Sequence, residues 1–268
     1  MAGTQPPQDL HFERRGSGEP LVLLHGIGHH WYAWEPVLDR LAGHHDVVAV
    51  DLPGFGSSPW DEERSRGGMP ALVVVMQEFF AQHGLGRPHV VGNSFGGALA
   101  LELAAAGAVA SVTALSPAGF ATERQVRRAL GTLRVMRALA HAPEPLLRLF
   151  YRYPVTRAAG FRTLFARPGF LTAEAALRDT RALRDAKGFR VVAGHAPGYA
   201  FRGAVTVPVT IAWGTRDRIL SYRQAGTARQ LVANALHVDL PGCGHVPMGD
   251  APELVSEIIL GTTGAAHR

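Results

Sequence analysis

The sequence predicts an α/β protein built around a mostly parallel β-sheet, and two observations support this prediction. Short apolar runs at residues 21–24, 46–50, 89–91 and 111–115 alternate with segments that have helical spacing. The run at 21–24 contains no polar residue, as expected for a strand that is buried on both faces. Strand–helix repetition at this spacing is typical of a parallel sheet covered by helices on both sides.

The other elements are predicted from local patterns in the same way. Residues 10–15 alternate apolar and polar side chains and predict a half-exposed first strand. Asp250, followed by Pro252 and Glu253, predicts an N-terminal cap for the last helix. The spacing further predicts helices at 31–41, 71–83, 98–106 and 252–260, and strands at 207–213 and 235–240.

Length and composition limit the number of domains and the kind of protein that the sequence can form. The 268 residues are 47% apolar, enough for one large domain or for a core with an insertion. Cys243 is the single cysteine, so no internal disulfide can form, which suits a reducing compartment. We find neither a signal peptide nor an apolar run of membrane-spanning length, and expect a soluble cytoplasmic protein.

The middle third of the chain differs from its flanks in charge. Residues 121–203 hold 16 Lys+Arg and 5 Asp+Glu, a net charge of +11, whereas the rest of the chain has a net charge of −6. This Arg-rich segment is helical in character and interrupted by prolines. We therefore predict a helical insertion at 121–203 between two strands of a core formed by 1–120 and 204–268.

Three interpretations of this basic segment stay open. Its arginines could lie solvated on outer helix faces, or steer an anionic substrate toward a cleft, with Arg190 as the substrate-facing cation. They could also dock on anionic lipid or nucleic acid. The segment lacks the interleaved aromatic residues that single-stranded nucleic acid requires, so we expect no nucleic-acid partner.

The stretch "GNSFG" at residues 92–96 carries the clearest chemical signal. It follows a predicted strand and precedes a predicted helix, so Ser94 stands at the apex of a sharp strand-to-helix turn. Gly92 and Gly96 would leave room for that turn, because a Cβ at either position would meet the strand or the helix. Ser94 is thereby expected at the carboxyl edge of the sheet, where ligands bind in such folds.

A nucleophilic serine needs a base and an orienting acid. Asp217 follows the strand that ends at Trp213, and His245 lies between the last strand and the last helix, so both are expected at the same sheet edge. The alternative acids are less suitable, since Asp239 falls inside a strand and Asp250 is assigned to a helix cap. The amides of Ile27 and Phe95 would bind the developing oxyanion.

With "HGIG", "DLPGFGSS", "GNSFGG", "GTRD" and "GCGHVP", the chain resembles the α/β-hydrolase superfamily over nearly its whole length. The resemblance implies an eight-stranded, mostly parallel sheet with a helical cap inserted after the sixth strand. It also implies a serine hydrolase with the triad Ser94, Asp217 and His245. Around this triad we expect substrate contacts from His25, Gly26, Asn93, Arg190 and Val246.

No metal or organic cofactor is expected. His25, His29 and His30 have the spacing of a metal cluster, but no carboxylate or cysteine lies close to them in the sequence. The glycine-rich "DLPGFGSS" lacks the Lys-Ser/Thr pair of a phosphate-binding loop.

Three functions remain open at this point. The first is hydrolysis of a small, partly apolar ester through an acyl-enzyme. The second is carbon–carbon bond hydrolysis, because "GNSFGG" and the cap resemble hydrolases of aromatic meta-cleavage products, which act on dienoic acids. That group typically has a tryptophan after the histidine, whereas this chain has Val246 and Pro247. The third is a ligand-binding protein that retains the fold with little or no turnover.

Overall fold

The computed structural model describes residues 9–266, apart from the side chain of Ser65, and the strands of this part form one seven-stranded sheet. The strand order is β1-β3-β2-β4-β5-β6-β7, in which β1 is antiparallel to β3 and all other neighbours are parallel. The strands are β1 (Phe12–Gly16), β2 (Pro20–Leu24), β3 (Asp46–Val50), β4 (His89–Asn93), β5 (Ser111–Leu115), β6 (Val209–Gly214) and β7 (Leu236–Leu240).

Helices connect the parallel strands and cover both faces of the sheet. Within residues 9–266, no helix combines the length and apolar character needed to cross a membrane. The α-helices are α1 (Glu35–Ala42), α2 (Glu62–Ser65), α3 (Met69–Gln82), α4 (Phe95–Ala105), α5 (Glu123–Leu139), α6 (Glu144–Arg152), α7 (Pro154–Phe161), α8 (Ala173–Asp185), α9 (Phe189–His195), α10 (Arg223–Leu231), α11 (Pro247–Asp250) and α12 (Pro252–Ala265).

The predicted fold class is confirmed, with two corrections. The described residues form seven strands rather than eight, and the helical insertion follows the fifth strand rather than the sixth. The seven strands correspond to the seven runs predicted from the sequence, five of them before the insertion, whereas the count of eight came from the family resemblance. The helix predicted at 98–106 begins three residues earlier, directly after Ser94.

The central strands are buried on both faces because their side chains alternate between two apolar clusters. Val22 and Leu24 of β2 point into the cluster that contains α3, whereas Leu21 and Leu23 point into the cluster that contains α1 and α12. Both clusters exclude water, and their burial is the main favourable contribution to folding. The sheet is thereby held rigid beneath the carboxyl ends of β2, β4 and β6.

The inserted segment, which contains α5 to α9, packs onto both clusters. Leu130 and Leu133 of α5 join the first cluster, and Tyr151 of α6 and Phe161 of α7 join the second. The segment is thus anchored by buried side chains, and two cavities lie between it and the sheet edge.

Candidate active site

Ser94 occupies a strained turn between β4 and α4. Its backbone has φ 56° and ψ −113°, in a region that residues with a side chain rarely adopt. A Cβ on Gly92 would overlap the carbonyl oxygen of Gly96, and a Cβ on Gly96 would overlap the backbone of Leu24. The two glycines are therefore required for close packing, as the sequence predicts, and they place Ser94 at the carboxyl edge of the sheet.

His245 and Asp217 meet at the same edge, although 28 residues separate them in the chain. His245 Nδ1 lies 2.7 Å from Asp217 Oδ2, and both side chains are buried. The other carboxylate oxygen, Oδ1, accepts the amides of Ile219 at 2.8 Å and Leu220 at 2.9 Å. Asp217 is thus fixed by the turn after β6, and it can hold the imidazole with the proton on Nδ1 and Nε2 free to accept a proton.

The backbone of His245 is fixed from two sides. Its carbonyl oxygen accepts the Asn93 side-chain amide at 2.9 Å, and Asn93 also donates to the Leu115 carbonyl at 3.1 Å. The amides of His245 and Val246 both donate to the carbonyl of Leu164, at 2.8 and 3.1 Å. Asn93, expected to contact substrate, lines one of the cavities beside Ser94 and also uses both amide hydrogens to join β4, β5 and the His245 loop.

Asp250 does not cap the last helix, which corrects the assignment made from sequence. The residue preceding α12 is Ala251, and no side chain caps that helix. The Asp250 carboxylate instead accepts the amides of Gly244 at 2.7 Å, Ala166 at 2.9 Å and Arg167 at 2.7 Å. Hydrogen bonds from three backbone amides stabilise the buried carboxylate more than the contact of a helix cap would. They also connect the His245 loop to the inserted segment.

Two mainly apolar cavities meet at Ser94. The first has a volume of about 330 Å³ and lies beside Phe95, Ala98 and Val126. The second has a volume of about 400 Å³ and lies beside His245, Val246 and Gly26. Ser94, Ile27 and Leu133 line both cavities. The serine therefore stands between two apolar spaces, and His245 contacts only one of them.

The backbone amides of Ile27 and Phe95 are available at the same place. Among the described residues, no backbone or side-chain acceptor takes a hydrogen bond from either N–H. Phe95 is the first residue of α4, whose positive dipole end favours negative charge. These two amides can serve as donors to an oxygen that becomes negatively charged beside Ser94.

Two residues expected to bind substrate lie elsewhere. His25 is fully buried, its Nδ1 lies 2.8 Å from the Gly26 carbonyl, and its Nε2 accepts the Leu52 amide at 3.0 Å. Burial holds the pKa of His25 far below its usual value of 6.5, so the neutral ring joins two loops as a structural residue. Arg190 is exposed and lines a separate surface depression with Arg134 and His141, because α9 turns its side chain away from Ser94.

A carboxylate does approach the histidine pair, contrary to the argument made from sequence. Asp179 of α8 lies 3.4 Å from His30 Nε2 and 4.0 Å from His29 Nε2, and the ligand atoms of the three residues lie within 4.8 Å of one another. Arg178 also lies near Asp179, with 3.8 Å between Nε and Oδ1. The group therefore forms a polar contact between the inserted segment and the loop after β2.

The fold is that of an alpha/beta hydrolase. The sequence profile described as the alpha/beta hydrolase family matches residues 21–258, and the chain belongs to this family. The solved structure of a bacterial membrane phospholipase A superposes with a TM-score of 0.77 at 23% identity, covering 98% of this chain and 86% of that one. At this identity the likeness shows the fold alone.

Two curated relatives extend the comparison. Uncharacterized protein Mb2734 of Mycobacterium bovis is 28% identical over 271 residues, which cover 92% of this chain and 76% of that protein. The 2-hydroxy-6-oxo-2,4-heptadienoate hydrolase of Pseudomonas putida is 38% identical over 95 residues, one third of each chain (33% and 33%).

Proposed function

We propose that this protein is a serine hydrolase that cleaves neutral carboxylic esters through an acyl-enzyme. Ser94 is the nucleophile, His245 the general base and Asp217 the orienting acid. The observation that carries the proposal is the 2.7 Å contact between His245 Nδ1 and Asp217 Oδ2, next to a strained Ser94 that lines the same cavity as His245. A nucleophile, a base and its orienting group at one sheet edge make up the machinery of acyl transfer.

In the first half-reaction, His245 Nε2 accepts the proton of the Ser94 hydroxyl while Oγ attacks the ester carbonyl carbon. The carbonyl oxygen becomes an oxyanion, which accepts hydrogen bonds from the Ile27 and Phe95 amides. When the tetrahedral intermediate collapses, the carbon–oxygen bond to the alcohol breaks. The alcohol leaves with the proton from His245, and the acyl group stays on Ser94.

In the second half-reaction, His245 accepts a proton from water, and the resulting hydroxide attacks the acyl-enzyme. The second intermediate collapses, the acid is released, and Ser94 Oγ recovers its proton from His245. Throughout, Asp217 stabilises the imidazolium that forms twice per cycle. Its own position is secured by the Ile219 and Leu220 amides.

The alcohol part and the acyl part of the ester are assigned to different cavities. The leaving alcohol must receive its proton from His245, and His245 lines the second cavity but not the first. We therefore place the alcohol part in the second cavity and the acyl chain in the first. The apolar linings of both cavities suit hydrocarbon groups on either side of the ester.

The cavity linings favour a neutral substrate over an anionic one. Among the described residues that line the two cavities there is no lysine or arginine, and the second cavity has the carboxylate of Asp179. A dienoic acid would bring its own carboxylate into a space without a cation, so ester cleavage is the better supported reaction. We also propose that residues 121–203 act as the cap over this site and that the protein works in the cytoplasm.

Turnover of p-nitrophenyl esters from acetate to decanoate tests the proposal, with Ser94→Ala as the inactive variant and Ser57→Ala, an exposed loop serine, as its control. We expect serine-dependent turnover with an optimum chain length. Labelling of Ser94 by a fluorophosphonate without ester turnover would redirect the search to dienoic acids. An initial burst without steady turnover would favour a ligand-binding protein, and no labelling at all would overturn the nucleophile assignment.

A further inference from the structure

The inserted segment exposes an unusual amount of apolar surface. Of the eleven large apolar side chains that are exposed in the described part of the chain, eight lie between residues 135 and 170. Soluble monomers rarely leave such side chains grouped without a binding role. We name the central group the outer apolar surface, and it comprises Leu139, Leu146, Leu149, Phe150, Tyr153 and Val155.

Helix α6 forms the centre of the outer apolar surface. Leu146, Leu149 and Phe150 are exposed at positions i, i+3 and i+4, so they share one side of the helix, and Tyr153 is the exposed residue directly after its end. Leu147 and Tyr151, farther round the helix, are buried in the protein. Glu144, Arg148 and Arg152 form the polar side of α6, so its apolar stripe is wider than the part that the protein buries, and the rest of the stripe stays exposed.

Unpaired positive charge accompanies the outer apolar surface. Residues 123–170 contain ten arginines and two carboxylates. Arg152 and Arg162 are exposed, and within residues 9–266 no carboxylate lies at ion-pair distance from either of them. Glu144, one of the two carboxylates, is already bound by Arg148 and Arg181. Apolar side chains among free arginines match the composition of segments that lie in the interface of an anionic membrane.

The outer apolar surface also borders the entrance to the second cavity. Leu139, Leu146 and Phe150 line that cavity, yet they are 67%, 58% and 42% exposed. The cavity therefore opens to the outside through this apolar rim, and its inner end reaches Ser94 and His245. A molecule that enters from this side passes from an apolar surface directly into an apolar cavity.

We propose that the outer apolar surface docks on the face of an anionic lipid bilayer and that the second cavity takes up apolar esters from it. Anionic lipid headgroups can pair with the arginines that have no carboxylate partner in the protein. The boundary between the headgroups and the acyl chains can take up the six apolar side chains. A second copy of the chain would instead bring the same positive charge against itself. The docking is inferred from the outer apolar surface alone, whereas the uptake of esters rests on the proposed function.

Vesicle flotation tests the docking. Wild type should float with phosphatidylglycerol–phosphatidylcholine vesicles and bind pure phosphatidylcholine vesicles about tenfold more weakly, with binding reduced by 0.5 M salt. The double variant Leu149→Ser/Val155→Ser should lose about tenfold or more in binding, because it removes two exposed apolar groups from the bilayer contact. Neither Leu149 nor Val155 lines the first or the second cavity, so turnover of soluble esters by this variant should equal that of wild type.

The matched control is Leu231→Ser/Val74→Ser. Leu231 is 55% exposed, as is Leu149, and Val74 is exposed on α3 outside the inserted segment. This variant should bind vesicles as wild type does. Absence of wild-type binding, or an equal loss in both double variants, would overturn the proposal. A concentration-dependent dimer by light scattering that Leu149→Ser/Val155→Ser abolishes, without vesicle binding, would show that a second copy covers the surface instead.

The Ser94→Ala variant separates this inference from the proposed function. It should float with anionic vesicles as wild type does while turning over no ester. If it floats and wild type hydrolyses no ester, the docking stands and the proposed chemistry fails. If wild type hydrolyses soluble esters but does not float, the chemistry stands and the docking is wrong.

Discussion

The carboxylate of Asp250 accepts the amide of Gly244, the residue before His245, at 2.7 Å. The same carboxylate holds Ala166 and Arg167 of the inserted segment, and Leu164 accepts the amides of His245 and Val246. The candidate base is thus positioned partly by a segment about 80 residues earlier in the chain. The inserted segment therefore helps to position the His245 loop.

Replacing Asp250 tests this support. Asp250→Ala leaves three backbone amides, that of Gly244 buried, without their charged acceptor and should lower the free energy of unfolding by about 2–4 kcal/mol. Because the His245 loop loses its anchor, kcat should fall by about tenfold or more at temperatures where the fold persists. Urea unfolding and ester kinetics measure both effects. Asp39→Ala, which removes an exposed ion pair with Arg15, is the control and should change stability by less than about 1 kcal/mol.

The orienting role of Asp217 predicts a large kinetic effect with little structural change. Asp217→Asn should lower kcat by about four orders of magnitude, because an amide at this position favours the wrong imidazole tautomer. The control is Asp239→Asn, since Asp239 lies on the surface, is paired with Arg229 and makes no hydrogen bond to His245 among the described residues. Comparable kcat values for the two variants would mean that Asp217 does not orient His245.

The turn at Ser94 predicts that its glycines cannot be replaced. Gly96→Ala would drive a Cβ into the carbonyl oxygens of Leu24, the last residue of the buried strand β2, and of His25, which follows it, and this backbone cannot move aside. We expect this variant to be insoluble or to unfold at a clearly lower temperature. Gly226→Ala is the control, because a Cβ there meets nothing within 4 Å and the helix α10 should gain about 0.5–1 kcal/mol. Thermal unfolding of the two variants and of wild type measures both effects, and equal unfolding temperatures for the two variants would contradict the prediction.

His25 predicts a loss of stability in acid. Its folded-state pKa is held far below 6.5 by burial, so below pH 6.5 the unfolded chain binds a proton that the folded protein does not. The free energy of unfolding should therefore fall as the pH is lowered from about 6.5, with a slope of about 1.4 kcal/mol per pH unit for this one proton. Denaturant titrations at pH 7, 6 and 5 should show a shallower slope for His25→Asn. The exposed His44→Asn variant should follow wild type, and identical slopes for all three proteins would contradict the prediction.

The assignment of the two cavities predicts separable changes in specificity. Val126 lines the first cavity and Met136 the second, and both lie on α5. Val126→Phe should shift the preferred acyl chain to shorter lengths while the preference among alcohols stays as in wild type. Met136→Phe should keep the acyl preference and reduce turnover of esters with bulky alcohols. The kcat/KM values for a grid of acyl and alcohol lengths measure both, and exchanged effects would reverse the assignment.

The sequence alone determined the features that depend on short stretches of chain. The strands 46–50 and 111–115 follow from β-branched runs, and the turn at Ser94 follows from glycines two residues to either side. The chain order of Ser94, Asp217 and His245, each after a predicted strand, was enough to expect them at one sheet edge, because parallel strands all end there.

The tertiary structure decided the features that join distant parts of the chain. Asn93 meets the His245 carbonyl across 152 residues, and Asp179 reaches His30 across 149. Likewise, Arg190 faces outward, and the Asp250 carboxylate accepts hydrogen bonds from backbone amides instead of capping a helix. No local pattern encodes these partners, because they depend on how α5 to α9 pack on the sheet. Helical spacing shows which residues share a face, but only packing decides which face meets the cavity and which meets the outside.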